Sequence, residues 1–189
     1  NYINEDFEQI VRVIYRIKGR VVITGIGKSA NIAEKIVGTL NSTGTPAIFM
    51  HAADAIHGDL GIIQKDDIVI CISRSGSTPE IELLVPLLKI RSTPIIAMIS
   101  NTSSFLAKHA NYILQTTIDK EACPHNLAPT TSTSAQLVMG DALAVSLLQY
   151  RGFSREDYAK YHPGGALGKK LYLTVEELYK QNESPEVDV

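Results

Sequence analysis

Residues 73–80 read Ser73-Arg74-Ser75-Gly76-Ser77-Thr78-Pro79-Glu80 and follow directly on the apolar run Ile68–Ile72. An apolar run ending in hydroxyls and a glycine, with a proline suited to a first helical turn, describes a strand passing through a tight loop into a helix. Hydroxyls and backbone N–H groups at the positive end of a helix dipole form a cradle for phosphate. Thr78 is placed as the N-cap. Capping accounts for one hydroxyl and leaves Ser73, Ser75 and Ser77 to an anion. Glu80 has two readings at this point, catalysis or the second half of a Ser77-x-x-Glu80 capping box.

Other segments carry comparable chemistry. Thr24-Gly25-Ile26-Gly27-Lys28-Ser29 follows another apolar run and opens a helical pattern. A Walker A loop would need glycine where Val22 stands. The weak dinucleotide pattern Gly25-x-Gly27-x-x-Ala30 lacks an acidic residue after the next strand, where Met50-His51-Ala52 stands. What remains is a glycine turn presenting Lys28, with Gly27 and Ser29 beside it, to an anionic or polar ligand. A cation is disfavoured at a helix amino terminus, which argues for a use. Thr130-Thr131-Ser132-Thr133-Ser134 opens a long helix with more hydroxyls than capping requires, and so offers a second set of ligand contacts. Glu121 lies in the loop before it, and His162-Pro163-Gly164-Gly165 sets a histidine on a constrained turn. Taken singly, Glu121 reads as an exposed loop glutamate and His162 as a solvated loop histidine. His57-Gly58-Asp59 makes a poor metal site.

The elements that must position these residues are legible from periodicity. Runs at 21–23, 47–50, 68–72, 95–99 and 112–114 have strand character, with helical patterns at 5–18, 29–42, 79–91, 103–109 and 132–151 between and around them. Continuous apolar strands alternating with helices predict an α/β fold with a parallel sheet covered on both faces. Ligands of such sheets bind outside the carboxyl ends of the strands, where all of the segments above fall. The 132–151 helix is apolar around most of its circumference and is expected in the core or at a subunit interface. Residues 160–168 read as irregular, a short helix is expected after them, and 182–189 as a polar tail.

Composition narrows the class. The 189 residues carry a net charge of −2 with scattered basic residues, which argues against nucleic-acid binding. No apolar run approaches the roughly 18 residues of a membrane helix, and no signal peptide is visible. Cys71 sits in an apolar run and Cys123 in a polar loop, so a reducing cytoplasm is expected.

Taken together, Thr24–Ser29, His51–Gly61 (HAADAIHGDLG), Ser73–Ile81, Glu121–Thr133 (EACPHNLAPTTST), Gly140–Val145 (GDALAV) and His162–Gly168 (HPGGALG) closely resemble the sugar isomerase (SIS) domain. Within it they resemble the arabinose-5-phosphate isomerases. The resemblance implies a flavodoxin-like, three-layer αβα sandwich with a five-stranded parallel sheet over 20–181, with 1–19 as an added helix. It implies a cofactor-free interconversion of arabinose 5-phosphate and ribulose 5-phosphate, supplying 3-deoxy-octulosonate for lipopolysaccharide or capsule. Lys28, Glu80, Glu121 and His162 fall on the family's active-site positions. Ser73, Ser75, Ser77 and Thr78 would hold the phosphate, with Thr130, Thr131, Ser132 and Thr133 assisting.

The resemblance further implies a homotetramer with sites between subunits, so that His162 serves a neighbour's site, and an inhibitory rather than catalytic metal contact at His57. It implies too that the paired regulatory domains of many relatives, of the cystathionine-β-synthase type, are lacking from these residues. Another phosphosugar isomerase of the same domain, or a phosphosugar-sensing module without turnover, remain as alternatives.

Overall fold

The computed structural model describes residues 2–165 and 168–169. Five strands, β1 (Val21–Gly25), β2 (Ala47–His51), β3 (Ile68–Ser73), β4 (Ile95–Ile99) and β5 (Tyr112–Gln115), form one parallel sheet in the order β2-β1-β3-β4-β5. Every residue of β1, β3 and β4 is buried, which is why their sequences are continuously apolar instead of alternating.

The pleat nevertheless sorts them onto two faces. Val21, Ile23, Ile68, Ile70, Ile72, Ile96 and Met98 pack beneath α1 (Glu5–Arg16), α2 (Lys28–Ser42) and α6 (Thr131–Tyr150). Val22, Val69, Cys71, Ile95, Ala97 and Ile99 pack beneath α3 (Ala52–Ala55), α4 (Pro79–Ile90) and α5 (Phe105–His109). The result is three layers, αβα, as the resemblance implied. Each isoleucine buried this way contributes roughly 1.5–3 kcal/mol. Burial also pushes the Cys71 thiol up to about 12, consistent with a core residue.

The amino edge of the sheet is tied by Asp67, 2% exposed. Its carboxylate accepts from the Arg20 backbone at 2.7 Å, the Arg20 guanidinium at 2.9 Å and the Gln64 backbone at 2.9 Å. Gly19 closes on the same loop, where a Cβ would stand 2.4 Å from the Asp66 carbonyl carbon.

The described residues fall into two compact units that part between Gly152 and Phe153. The first holds the sheet and α1–α6, with Phe7, Ile10 and Ile14 of α1 in the same core as the strands. The second contains α7 (Arg155–Tyr161), where the sequence predicts irregular chain from residue 160. The helix has no apolar stripe, and a capping box between Ser154 and Asp157 starts it. The helix expected after residue 168 and the tail 182–189 lie outside the described residues.

Candidate active site

β1 and β3 are neighbours, yet the chain leaves them for opposite faces, to α2 and to α4. This is the switch point of the 2-1-3-4-5 order, the place where open parallel sheets bind their ligands. One side carries Lys28, the first residue of α2, exposed and without an ion pair among the described residues. Gly27 caps that helix at φ 56° and ψ −123°, a conformation that favours glycine. Ser29 donates from Oγ to Gln136 Oε1 on α6 at 3.3 Å.

The other side is the hydroxyl loop. Ser73, 4% exposed, receives the Gly76 amide on its Oγ at 3.0 Å and shares a 3.0 Å hydrogen bond with Thr78 Oγ1. Ser75 Oγ accepts from the Ser77 amide at 3.3 Å, and both serines are exposed. Gly76 is left-handed at φ 68°, and a Cβ there would stand 2.1 Å from Ser104 Oγ. Thr78 occupies the N-cap of α4 without making the side-chain capping bond, and Pro79 is the first helical residue. The helix therefore starts one residue too late for a Ser77–Glu80 capping box. That removes the structural alternative for Glu80, which stands half-buried in the first turn with no partner among the described residues.

Glu121 is 2% exposed and lies in the β5–α6 loop. Its Oε2 accepts from the backbone of Thr130 at 2.9 Å and of Ser132 at 3.1 Å, and from Thr130 Oγ1 at 3.2 Å. Its Oε1 accepts from Ser132 Oγ at 2.5 Å and faces Arg74 Nη1 at 3.0 Å. Burial pushes this carboxyl up. The Ser132 and Thr130 hydrogen bonds and the Arg74 charge outweigh it and hold the pKa at about 2.

Where the sequence places a second set of ligand hydroxyls, the structure has most of them engaged internally. Ser132 is 1% exposed and bound to Glu121, Thr130 is bound to Glu121 and to the Ala122 amide, and Thr133 donates to the Thr130 carbonyl at 2.9 Å. Thr131 is half-buried, with its hydroxyl unengaged among the described residues.

Sequence reasoning missed Arg74, Asn126 and Gln136. Asn126, at φ 55°, accepts the Glu121 amide at 2.7 Å and so shapes the loop. The Pro124-His125-Asn126 run was its available signal. Arg74 and Gln136 act on residues dozens of positions away and leave no local trace.

In the second unit, His162 ends α7. Its Nδ1 lies 2.9 Å from the Tyr158 carbonyl and its ring stacks on Tyr158 at 3.9 Å. A carbonyl only accepts, so Nδ1 carries the proton and Nε2 is the basic nitrogen of the neutral ring. Gly165 donates to the His162 carbonyl at 3.1 Å, and a Cβ on Gly168 would meet that oxygen at 2.1 Å, so Gly168 has no room for a side chain. His57 is exposed, and no trio of possible metal ligands occurs among the described residues.

Among the described residues, four buried side-chain atoms have no hydrogen-bond partner: Thr24 Oγ1, His51 Nδ1, Thr116 Oγ1 and Gln136 Nε2.

Residues 14–146 match the SIS domain family. The chain belongs to that family. Among curated relatives of this SIS domain, an arabinose 5-phosphate isomerase KdsD from Francisella tularensis is 51% identical over 98% of the chain and 58% of its own length. The protein of the same name from Yersinia pestis is 53% identical over 94% of the chain and 54% of its own length. The chain thus spans little more than half the length of these relatives. A solved structure from E. coli CFT073, in complex with arabinose 5-phosphate, superposes at a TM-score of 0.82 with 40% identity, covering 84% of each chain. No helix among the described residues is long and apolar enough to cross a membrane.

Proposed function

We propose that this SIS domain is an aldose–ketose isomerase that interconverts D-arabinose 5-phosphate and D-ribulose 5-phosphate without a cofactor. The observation that carries the reading is the hydroxyl loop at the switch point, set within about 50% identity to isomerases of that name over nearly the whole chain. The loop supplies the phosphate anchor through Ser75, Ser77 and the amides of the first α4 turn.

The reaction moves one proton from C2 to C1 and another from the C2 oxygen to the C1 oxygen, so electrons balance within the sugar. An enediolate route needs a base at carbon and a cation near the oxygens. Glu121, with its pKa at about 2, is suited to holding charge and poorly suited to taking a carbon proton. We assign the carbon proton to Nε2 of His162, contributed by a neighbouring copy of the chain. Lys28 stabilises the enediolate, and Glu80 orients the sugar hydroxyls or Lys28.

The assembly is a homotetramer in this reading. Support comes from α6, which exposes Val138 (68%) and Val145 (60%) on its outer face. The same reading places the chain in the cytoplasm, where it supplies 3-deoxy-octulosonate for lipopolysaccharide or capsule, with His57 open to an inhibitory metal.

A coupled assay in both directions tests the proposal, with and without chelator. Turnover of both pentose phosphates is expected, and a loss of at least about a hundredfold in kcat for His162→Ala. No turnover in either direction overturns it. Turnover of a hexulose phosphate in preference replaces the substrate but leaves the reaction class.

A further inference from the structure

Arg74 stands between two of the loop serines, and its guanidinium lies against Glu121, with Nη1 3.0 Å from Oε1. Its side chain is 40% exposed, and its remaining N–H groups have no partner among the described residues. Glu121 already accepts four hydrogen bonds from Thr130 and Ser132, so its lone pairs do not depend on the guanidinium. The dependence runs the other way. An arginine side chain carries several rotatable bonds, and among the described residues Glu121 is the group that fixes where this fork points.

We propose that Arg74 is the cation of the anion loop, and that Glu121 is the positioning residue that aims it. The inference rests on the phosphosugar reading above. A guanidinium held on one side by a carboxylate presents its open N–H groups in a rigid plane that suits two oxygens of a phosphate. The ligand phosphate then sits between the exposed hydroxyls of Ser75 and Ser77 and the open side of Arg74. Glu121 contributes to binding without touching the ligand.

The test is a titration with inorganic phosphate, followed by the amide resonances of Ser75, Gly76, Ser77 and Thr78, which is independent of turnover. In the unmodified chain these amides shift on binding. Arg74→Gln should raise the phosphate Kd about tenfold or more, and Arg74→Lys should restore only part of it, because an ammonium lacks the fork. Glu121→Gln should weaken phosphate similarly, and the double variant should be no weaker than Arg74→Gln alone.

Phosphate binding by Arg74→Gln equal to that of the unmodified chain overturns the inference, as does full rescue by lysine or strict additivity of the two substitutions. Melting curves verify folding, and because Arg74 is half exposed its two variants decide the matter even where Glu121→Gln does not fold. A failure of the unmodified chain to bind phosphate at these amides overturns the anion site itself, and this inference with it.

Discussion

Ser132 Oγ lies 2.5 Å from Oε1 of Glu121, so the first turn of α6 and the loop that precedes it are closed on each other by one hydroxyl–carboxylate bond. Both residues are buried. Ser132→Ala removes a donor from a buried anion and should cost about 1–3 kcal/mol in stability at pH 7, read by urea unfolding. A cost below about 0.5 kcal/mol, the range of an ordinary surface substitution, would show that Thr130 and Arg74 hold Glu121 without it.

The pH dependence follows from the same carboxyl. Its folded pKa of about 2 lies below its ordinary value of 4.5. The anion therefore stabilises the fold at all pH values above 4.5, and that contribution disappears as pH falls from 4.5 towards 2. Glu121→Gln lacks it throughout. The gap in melting temperature between the chain and this variant should be widest near pH 7 and should narrow by about pH 3. A gap of constant size would refute the ionised state.

Gly140 of α6 packs against α2, where a Cβ would stand 2.3 Å from Ile36 Cδ1, and Ile36 is fully buried. Gly140→Ala should destabilise the chain by about 1–3 kcal/mol despite the better helix propensity of alanine. Adding Ile36→Ala, which removes both clashing carbons, should make the pair cost less than the sum of the two single substitutions. Additive penalties for the pair, measured by thermal melting, would place the strain elsewhere.

The two thiols should react very differently. Cys71 is fully buried, with its pKa pushed to about 12. Cys123 is half-buried, and the amides of Ala128 and Leu127, at 3.1 and 3.0 Å from Sγ, hold its pKa below the ordinary thiol value. Iodoacetamide should add one group to the native chain, at Cys123, and a second at Cys71 only in denaturant. Native labelling of Cys71 at a comparable rate would contradict the burial.

Gly76→Ala should damage the anion loop itself. The substitution puts a side chain at φ 68° and into Ser104 Oγ. Phosphate affinity should fall at least about tenfold, and stability by roughly 1–3 kcal/mol. Unchanged phosphate binding would mean that the loop amides do not form the cradle.

The layers of this fold were legible because strands buried on both faces read as apolar runs, and Val21–Ile23 and Ile68–Ile72 are such runs. The amino terminus of α4 was legible through Pro79. What sequence could not settle was which hydroxyl does which work. Thr130 and Ser132 look like ligand contacts when only their spacing is known, and they turn inward because Glu121 is folded beneath them. Sequence left both Thr78 as N-cap and a Ser77–Glu80 capping box open, and only the observed start of α4 at Pro79 decides between them. Arg74 was invisible for the same reason that it matters, since its partner lies in a different loop of the sheet. The polar α7 carries no periodic signal, and its capping box joins Ser154 to an aspartate rather than the usual glutamate or glutamine.

The four unpartnered polar atoms are not spread evenly. Thr24 is the penultimate residue of β1, His51 the last of β2, Thr116 the first after β5, and Gln136 faces Ser29 from the second turn of α6. The opposite edge holds Asp67 with every oxygen engaged. Polar groups without a hydrogen-bond partner in the chain thus gather at the carboxyl edge of the sheet, where a bound ligand could supply the missing bonds. A ligand held at that edge should therefore slow amide exchange around Thr24, His51 and Thr116 before it moves the global melting point.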